Sequence, residues 1–405
     1  MPVPMAESRT EASPFRLALF WFGIQAVWGA LLGISLQART THLSPGNAQI
    51  ATNELATAGA FVAAVVQILV GFLSDARRRS GSRRLEFYAI GAVGGAIALL
   101  GFYHAETFGG LAVAFVALQA MLNISIGPYQ AIIPDFVTGA RVGVASSWMA
   151  ALQSAGNAIG ALAASFIANA KLLGAVLSAL LLASFAGTAM YVRGRTMETP
   201  SGSGERPRIT RPFVDLFISR ALVYVGFYTL LFNLFFYVQG VLGASTIANA
   251  TKLTGMLIFG FTIVGAAGAA LAGRPSDRAD KRLVATLGGA GFIVALLLFI
   301  ASHDVAGAGA ATVIAGIGWG IFLVADWAIA CRVLPTGAMA SAMGIWNLAI
   351  VIPQVVAPAL VTLVFAHFAV AEPMVAPRGA FALALGETFV GIAWLWRLPR
   401  NVIGT

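Results

Sequence analysis

The chain has 405 residues, 59% of them hydrophobic and 10% charged, with mean hydropathy +0.86 and a formal net charge of +9. A soluble domain carries about 25% charge, so this composition excludes a water-covered globule and makes lipid the main solvent. Apolar runs of about 20 residues, greasy on every side, exclude a barrel of alternating strands and predict an all-α polytopic membrane protein.

Residues 1–14 are polar and lack the apolar core and cleavage site of a removable signal, so the first span is expected to serve as an uncleaved anchor. Spans are predicted at 17–37, 53–74, 86–103, 111–133, 144–167, 172–191, 217–238, 253–272, 283–301, 311–330, 340–364 and 379–396. The start of the second is the least defined, because Asn53 and Glu54 stand there. Of the 25 Lys and Arg residues, 21 fall on one side of this arrangement, Arg220 counted among them. Only Arg39, Lys171, Lys252 and Arg378 fall on the other. The bias predicts a plasma (inner) membrane protein with both termini cytoplasmic. It also assigns the positive charge to loops beside lipid rather than to a nucleic-acid surface.

The single cysteine, Cys331, excludes an intramolecular disulfide and a multi-cysteine metal site, and reads as a small buried apolar residue. No GxxxxGK[ST] loop and no His–Cys cluster is present, and His42, His104, His303 and His367 fall at span ends or loops. Neither a metal nor a cofactor nor catalysis is expected. An ion gradient, rather than ATP, is the expected energy source.

Residues 193–211, rich in Gly, Ser, Pro and charge, read as a cytoplasmic linker between six-helix bundles at 1–192 and 212–405. The two bundles repeat each other. Gly71-Phe-Leu-Ser-Asp75 matches Gly273-Arg-Pro-Ser-Asp277, and Thr138-Gly-Ala140 matches Thr336-Gly-Ala338, at offsets of 202 and 198 residues. Trp148 and Trp346 follow the second pair by one interval. Parallel six-helix repeats of this kind enclose a site near the bilayer midplane between the halves.

At these residues the chain resembles the major facilitator superfamily. The stretch Ser74-Asp-Ala-Arg-Arg-Arg-Ser-Gly-Ser-Arg-Arg84 is similar to the extended loop 2–3 motif of sucrose transporters and glycoside–pentoside–hexuronide cation symporters. Gly127-Pro-Tyr-Gln-Ala-Ile-Ile-Pro-Asp135 and Ser219-Arg-Ala-Leu-Val-Tyr-Val-Gly-Phe-Tyr228 resemble spans 4 and 7 of that group. The sucrose-type motif has an arginine where this chain has Gln130, and the acids that sodium-coupled melibiose-type members carry in spans 2 and 4 are missing. Both differences argue against sucrose and against sodium. The resemblance implies a cytoplasmic gate built from Asp75, Arg79, Arg83, Arg84, Asp277, Arg278 and Arg282, with Asp135 pairing Arg141 or a neighbouring base.

Asp326 stands within the tenth apolar run, where an unpaired charge costs about 2.5–3.5 kcal/mol on insertion scales. It is expected to face a wet chamber and to carry the coupling proton. The competing expectation is a structural acid, hydrogen-bonded across helices or paired with Arg332. Glu387 in span 12 reads as a packed acid or an oligomer contact. A hydroxylated substrate needs amides for its hydroxyls and aromatic planes for its apolar face. The candidates are Gln25, Trp28, Gln67, Asn123, Tyr129, Gln130, Gln153 and Asn157 in the first half, and Tyr228, Asn233, Trp319, Trp327, Trp346, Asn347 and Gln354 in the second. Gly156, Gly160, Pro353 and Pro358 mark helices that approach closely or bend. The expected function is monomeric, proton-coupled import of a sugar or glycoside by alternating access. Rivals are a proton-driven exporter of hydrophobic compounds, an uncoupled facilitator, and a membrane receptor or scaffold.

Overall fold

Every predicted apolar run becomes a helix, and most helices run past the apolar core that specified them. The computed structural model describes residues 13–79, 84–137, 142–193, 209–333, 339–368 and 375–399. The long helices of the first half are α1 (Pro14–Leu43), α2 (Ala48–Arg79), α3 (Leu85–His104), α4 (Phe108–Tyr129), α5 (Val142–Phe166) and α6 (Ala170–Arg193). Those of the second are α7 (Arg211–Gly240), α8 (Ile247–Arg278), α9 (Lys281–Ala301), α10 (Val305–Val333), α11 (Met339–Phe368) and α12 (Val375–Leu395). Eleven carry a stretch long and apolar enough to cross a membrane. The other, α5, is more polar, with Ser147, Gln153, Ser154 and Asn157 along its length. The 32 residues of α2 extend about 48 Å, well beyond a hydrocarbon core of about 30 Å, so the helix is longer than a span requires.

Helix packing repeats six elements on. In the first half α1 packs on α5 and α6, α2 on α4, and α3 on α4 and α6. In the second, α7 packs on α11 and α12, α8 on α10, and α9 on α10 and α12. The repeat extends to side chains: Phe15 packs edge-on against Trp148 at 5.4 Å, and Phe213 packs against Trp346 at 6.2 Å. Small residues set the closest crossings. A side-chain carbon at Gly156 or Gly160 would overlap the carbonyl oxygens of Phe22 and Ala26, so α5 lies directly against the α1 backbone.

Between the halves, α2 meets α11 and α5 meets α8. Among the described residues, the hydrogen bonds joining the halves lie at the face away from the chain termini. Gln49 Nε2 donates to Asn233 Oδ1 at 2.7 Å, and Gln37 Nε2 donates to the Phe232 carbonyl at 3.2 Å. Gln37 also donates to the Leu32 carbonyl at 2.8 Å, inside a π-helical turn, Leu31–Ser35, that widens α1 there. At the same face Lys252 lies over the Phe166 ring at 5.8 Å. At this end of the molecule polar contacts tie the two halves together.

Candidate functional site

The acid of α10 has a partner that the sequence reading did not supply. Asp326, 2% exposed, accepts a hydrogen bond from Arg220 Nη1 of α7, which is 6% exposed. Arg332 is exposed and is not that partner. Arg220 had been grouped with the loop charges, yet it stands nine residues, about 14 Å, inside α7. Its guanidinium lies over two rings, 4.5 Å from the Trp346 centroid and 4.9 Å from that of Tyr224. Its Nη2 reaches the Tyr224 hydroxyl at 3.4 Å. The sequence held one signal for it: Arg220, Tyr224 and Tyr228 recur every fourth residue, which places three polar groups on one helix face. The bare carboxylate in an apolar chamber is therefore replaced by an aromatic-walled ion pair linking α7, α10 and α11.

Further along the same face, Gln354 Nε2 of α11 donates to the Tyr228 hydroxyl at 3.0 Å. Trp319 of α10 stacks on Phe227 at 4.4 Å and meets Tyr224 edge-on at 5.0 Å, so neighbouring rings hold its indole. Asn347 is half-buried on α11. Trp327 is 46% exposed and stands outside this cluster.

The first half contributes a narrower polar wall. On α1, otherwise almost wholly buried, Phe22, Gln25, Trp28 and Leu32 form a half-exposed stripe at helical spacing. Gln153 and Asn157 of α5 are half-buried, and the Asn157 carbonyl lies against Gly29. Gln67 of α2 is also half-buried.

Four candidates depart from the expected role. Tyr129 is fully buried, its hydroxyl donating to the Leu17 carbonyl at 2.5 Å and its ring packed among Phe20, Trp21 and Tyr88. Asn123 is buried and donates to the Gln119 carbonyl at 2.8 Å. Gln130 follows the last residue of α4 and is exposed there, because the helix stops earlier than the apolar run. Asn233 belongs to the contact with Gln49 rather than to the Arg220 cluster. For Tyr129, Asn123 and Asn233 a neighbouring carbonyl or a cross-half partner claims the polar group. Tyr129→Phe is expected to lower stability by about 0.5–1.5 kcal/mol and to leave transport unchanged, read by thermal unfolding and uptake on the same preparations.

The terminal face carries a separate set of charges. Arg84 Nε lies 3.1 Å from Asp135 Oδ2, and Arg84 Nη1 donates to Ser74 Oγ at 3.0 Å, joining the end of α2 and the short helix Ile132–Phe136 that follows α4 to the start of α3. Among the described residues, a base beside Asp135 is Arg84. Arg282, 198 residues later, is held by Asp280 at 2.7 Å and donates to the Leu398 carbonyl at 2.9 Å. Val333 stands where the repeat would place a second Asp135, which explains the change of partner. Arg83 and Arg141 lie outside the described residues, as do the side chains of Asp75, Arg79, Asp277 and Arg278. Glu387 of α12 accepts a hydrogen bond from Thr229 of α7 at 2.9 Å and so packs within the bundle.

Twelve long helices in two repeats, with polar contacts joining the halves at one face and a buried ion pair between α7 and α10, make a multi-pass membrane protein. Residues 17–358 match the sequence profile of the Major Facilitator Superfamily, and the chain belongs to that superfamily. No curated protein matches it in sequence. In structure it is similar, over 97% of its length and 99% of the other chain, to a bacterial homologue of the human lysosomal transporter Spinster in an inward-facing and occupied conformation, with TM-score 0.74 and 16% identity. It is also similar, over 95% of its length and 99% of the other chain, to a mutant form of the nucleoside transporter NupG, with TM-score 0.73 and 12% identity. At such identities the likeness establishes the fold.

Proposed function

We propose that this chain is a proton-coupled secondary transporter of the plasma membrane, both termini cytoplasmic, that imports a sugar or glycoside by alternating access. The observation carrying this reading is the buried Arg220–Asp326 pair on helices beside the junction of the halves. Coupling through this pair requires the carboxylate to leave Arg220 when it takes a proton, a change that breaks a contact between α7 and α10. If substrate and proton both favour one arrangement of the halves, their movements become linked. In the proposed orientation the contacts of Gln37, Gln49, Asn233 and Phe232 hold the two halves together on the outer side. Gln25, Gln153, Asn157, Tyr228 and Gln354 supply donors and acceptors for hydroxyl groups, and the span 4 and span 7 resemblances support a sugar.

The test is uptake of a labelled sugar panel into proteoliposomes with and without an imposed pH gradient, for wild type and Asp326→Asn. Gradient-driven uptake in wild type, lost in the variant while counterflow persists, is the expected result. Equal gradient-driven uptake by both proteins removes Asp326 from coupling. Expulsion of an amphipathic dye with no sugar uptake replaces the reading with the exporter.

A further inference from the structure

The ion pair leaves donors over. Arginine has five N–H groups in a rigid fork, and the contacts of Arg220 are one oxygen of Asp326 and the Tyr224 hydroxyl. Its Nε is buried with no acceptor among the described residues. The same holds for Trp346 Nε1, on the ring that the guanidinium covers at 4.5 Å. Two buried N–H donors in one cluster lack an acceptor among the described residues. Buried polar groups are almost always paired, so such an excess needs an explanation. The explanation that fits is an acceptor that arrives with the ligand, and beside a guanidinium the best acceptor is an anion.

From these contacts we infer that Arg220 is the anchor for an acidic substrate, a hydroxylated solute bearing one carboxylate, and that Asp326 occupies its place when the site is empty. The inference rests on the transport reading above and narrows its substrate class. The charged and titratable groups facing Arg220 are Asp326 from α10 and Tyr224 and Tyr228 from its own helix, while α11 presents Trp346. A substrate carboxylate takes both fork nitrogens when Asp326 withdraws, and Trp346 Nε1 donates to the same group. Tyr228 and Gln354, further along the face, meet its hydroxyls. The guanidinium stays over its two rings throughout, so one charge is handed between two acids and is never left bare.

The experiment uses matched probes, D-glucuronate against D-glucose and D-galacturonate against D-galactose, on the full-length protein in detergent and in liposomes. Wild type is expected to bind an acid more than about tenfold tighter than its neutral partner, as a charge-assisted fork requires. Arg220→Gln should lose that preference, while Arg220→Lys should keep the charge and bind the acid more weakly. Asp326→Asn, lacking the internal acid, should bind the uronate more tightly than wild type, and its lowered thermal stability should be restored by the uronate but not by the sugar. Binding of the neutral member as tightly as the acid, binding of neither, or an unchanged preference in Arg220→Gln overturns the inference. Gradient-driven uptake of glucose alone would keep the transport reading and sink this one. Acid binding without gradient-driven uptake would do the reverse.

Discussion

Replacing Asp326 with leucine while Arg220 remains is expected to cost the fold about 3–5 kcal/mol, because a buried guanidinium loses its counter-charge. Arg220→Met should cost less, since an aspartate can be neutralised by a proton whereas a guanidinium keeps its charge. The double replacement, Arg220→Met with Asp326→Leu, should recover most of the loss. Hydrophobic side chains of similar volume often replace a buried pair at little or no net cost. Two such side chains would fit beside Trp346, Tyr224 and Trp319, already an aromatic wall. Thermal unfolding of the four proteins in one detergent forms the cycle that isolates the coupling between the residues. A double variant as unstable as the worse single variant would mean that these side chains act separately. The recovered double variant should still transport nothing, which separates the pair's role in function from its role in folding.

Gly255→Leu is expected to part the halves at the face where they exchange hydrogen bonds. A side-chain carbon at Gly255 of α8 would overlap the Ser165 hydroxyl and come within 2.8 Å of the Ala161 carbonyl, both on α5 in the other half. Forcing extra bulk into a tight contact costs about 1–3 kcal/mol. That cost falls only on the state in which α5 and α8 touch here, and a difference of this size shifts a two-state balance by about 5–150-fold. The contacts that join the halves at the same face, Gln49 with Asn233 and Gln37 with the Phe232 carbonyl, are single hydrogen bonds, each worth about 1 kcal/mol. Their sum is of the same size as the clash, so the added bulk shifts the balance away from the closed arrangement. The readout is labelling of Gln49→Cys by a membrane-impermeant thiol reagent from the side of that face, in a Cys331→Ser background. Labelling should rise sharply with Gly255→Leu while uptake falls. Unchanged labelling would mean that α5 and α8 do not hold that face together.

Local features announced much of this molecule. Apolar length alone predicted twelve helices, since each must span the same hydrocarbon thickness and bond its own backbone. The repeat was legible because the same short motifs recur at nearly one offset, and Trp148 and Trp346 do pack on phenylalanines 198 residues apart. The base for Asp135 could be narrowed to nearby arginines, because loop and helix end are close along the chain. Which arginine it was needed the fold to bring the start of α3 beside the short helix that follows α4.

Residue type and depth, however, cannot say what a polar group already holds. Tyr129 and Asn233 sit in apolar runs as Tyr228 and Gln354 do, but the first two are claimed by a backbone carbonyl and by a contact between the halves. Asp326 could be recognised as a costly charge needing a partner, while the partner lay 106 residues away on another helix. Composition and spacing determined a twelve-helix, two-repeat membrane protein, because those properties follow from the solvent and from the backbone's own hydrogen bonds. Tertiary structure alone decided which charges meet, which amides are already bonded and at which face the halves exchange hydrogen bonds, because each of these depends on contacts between helices far apart in sequence.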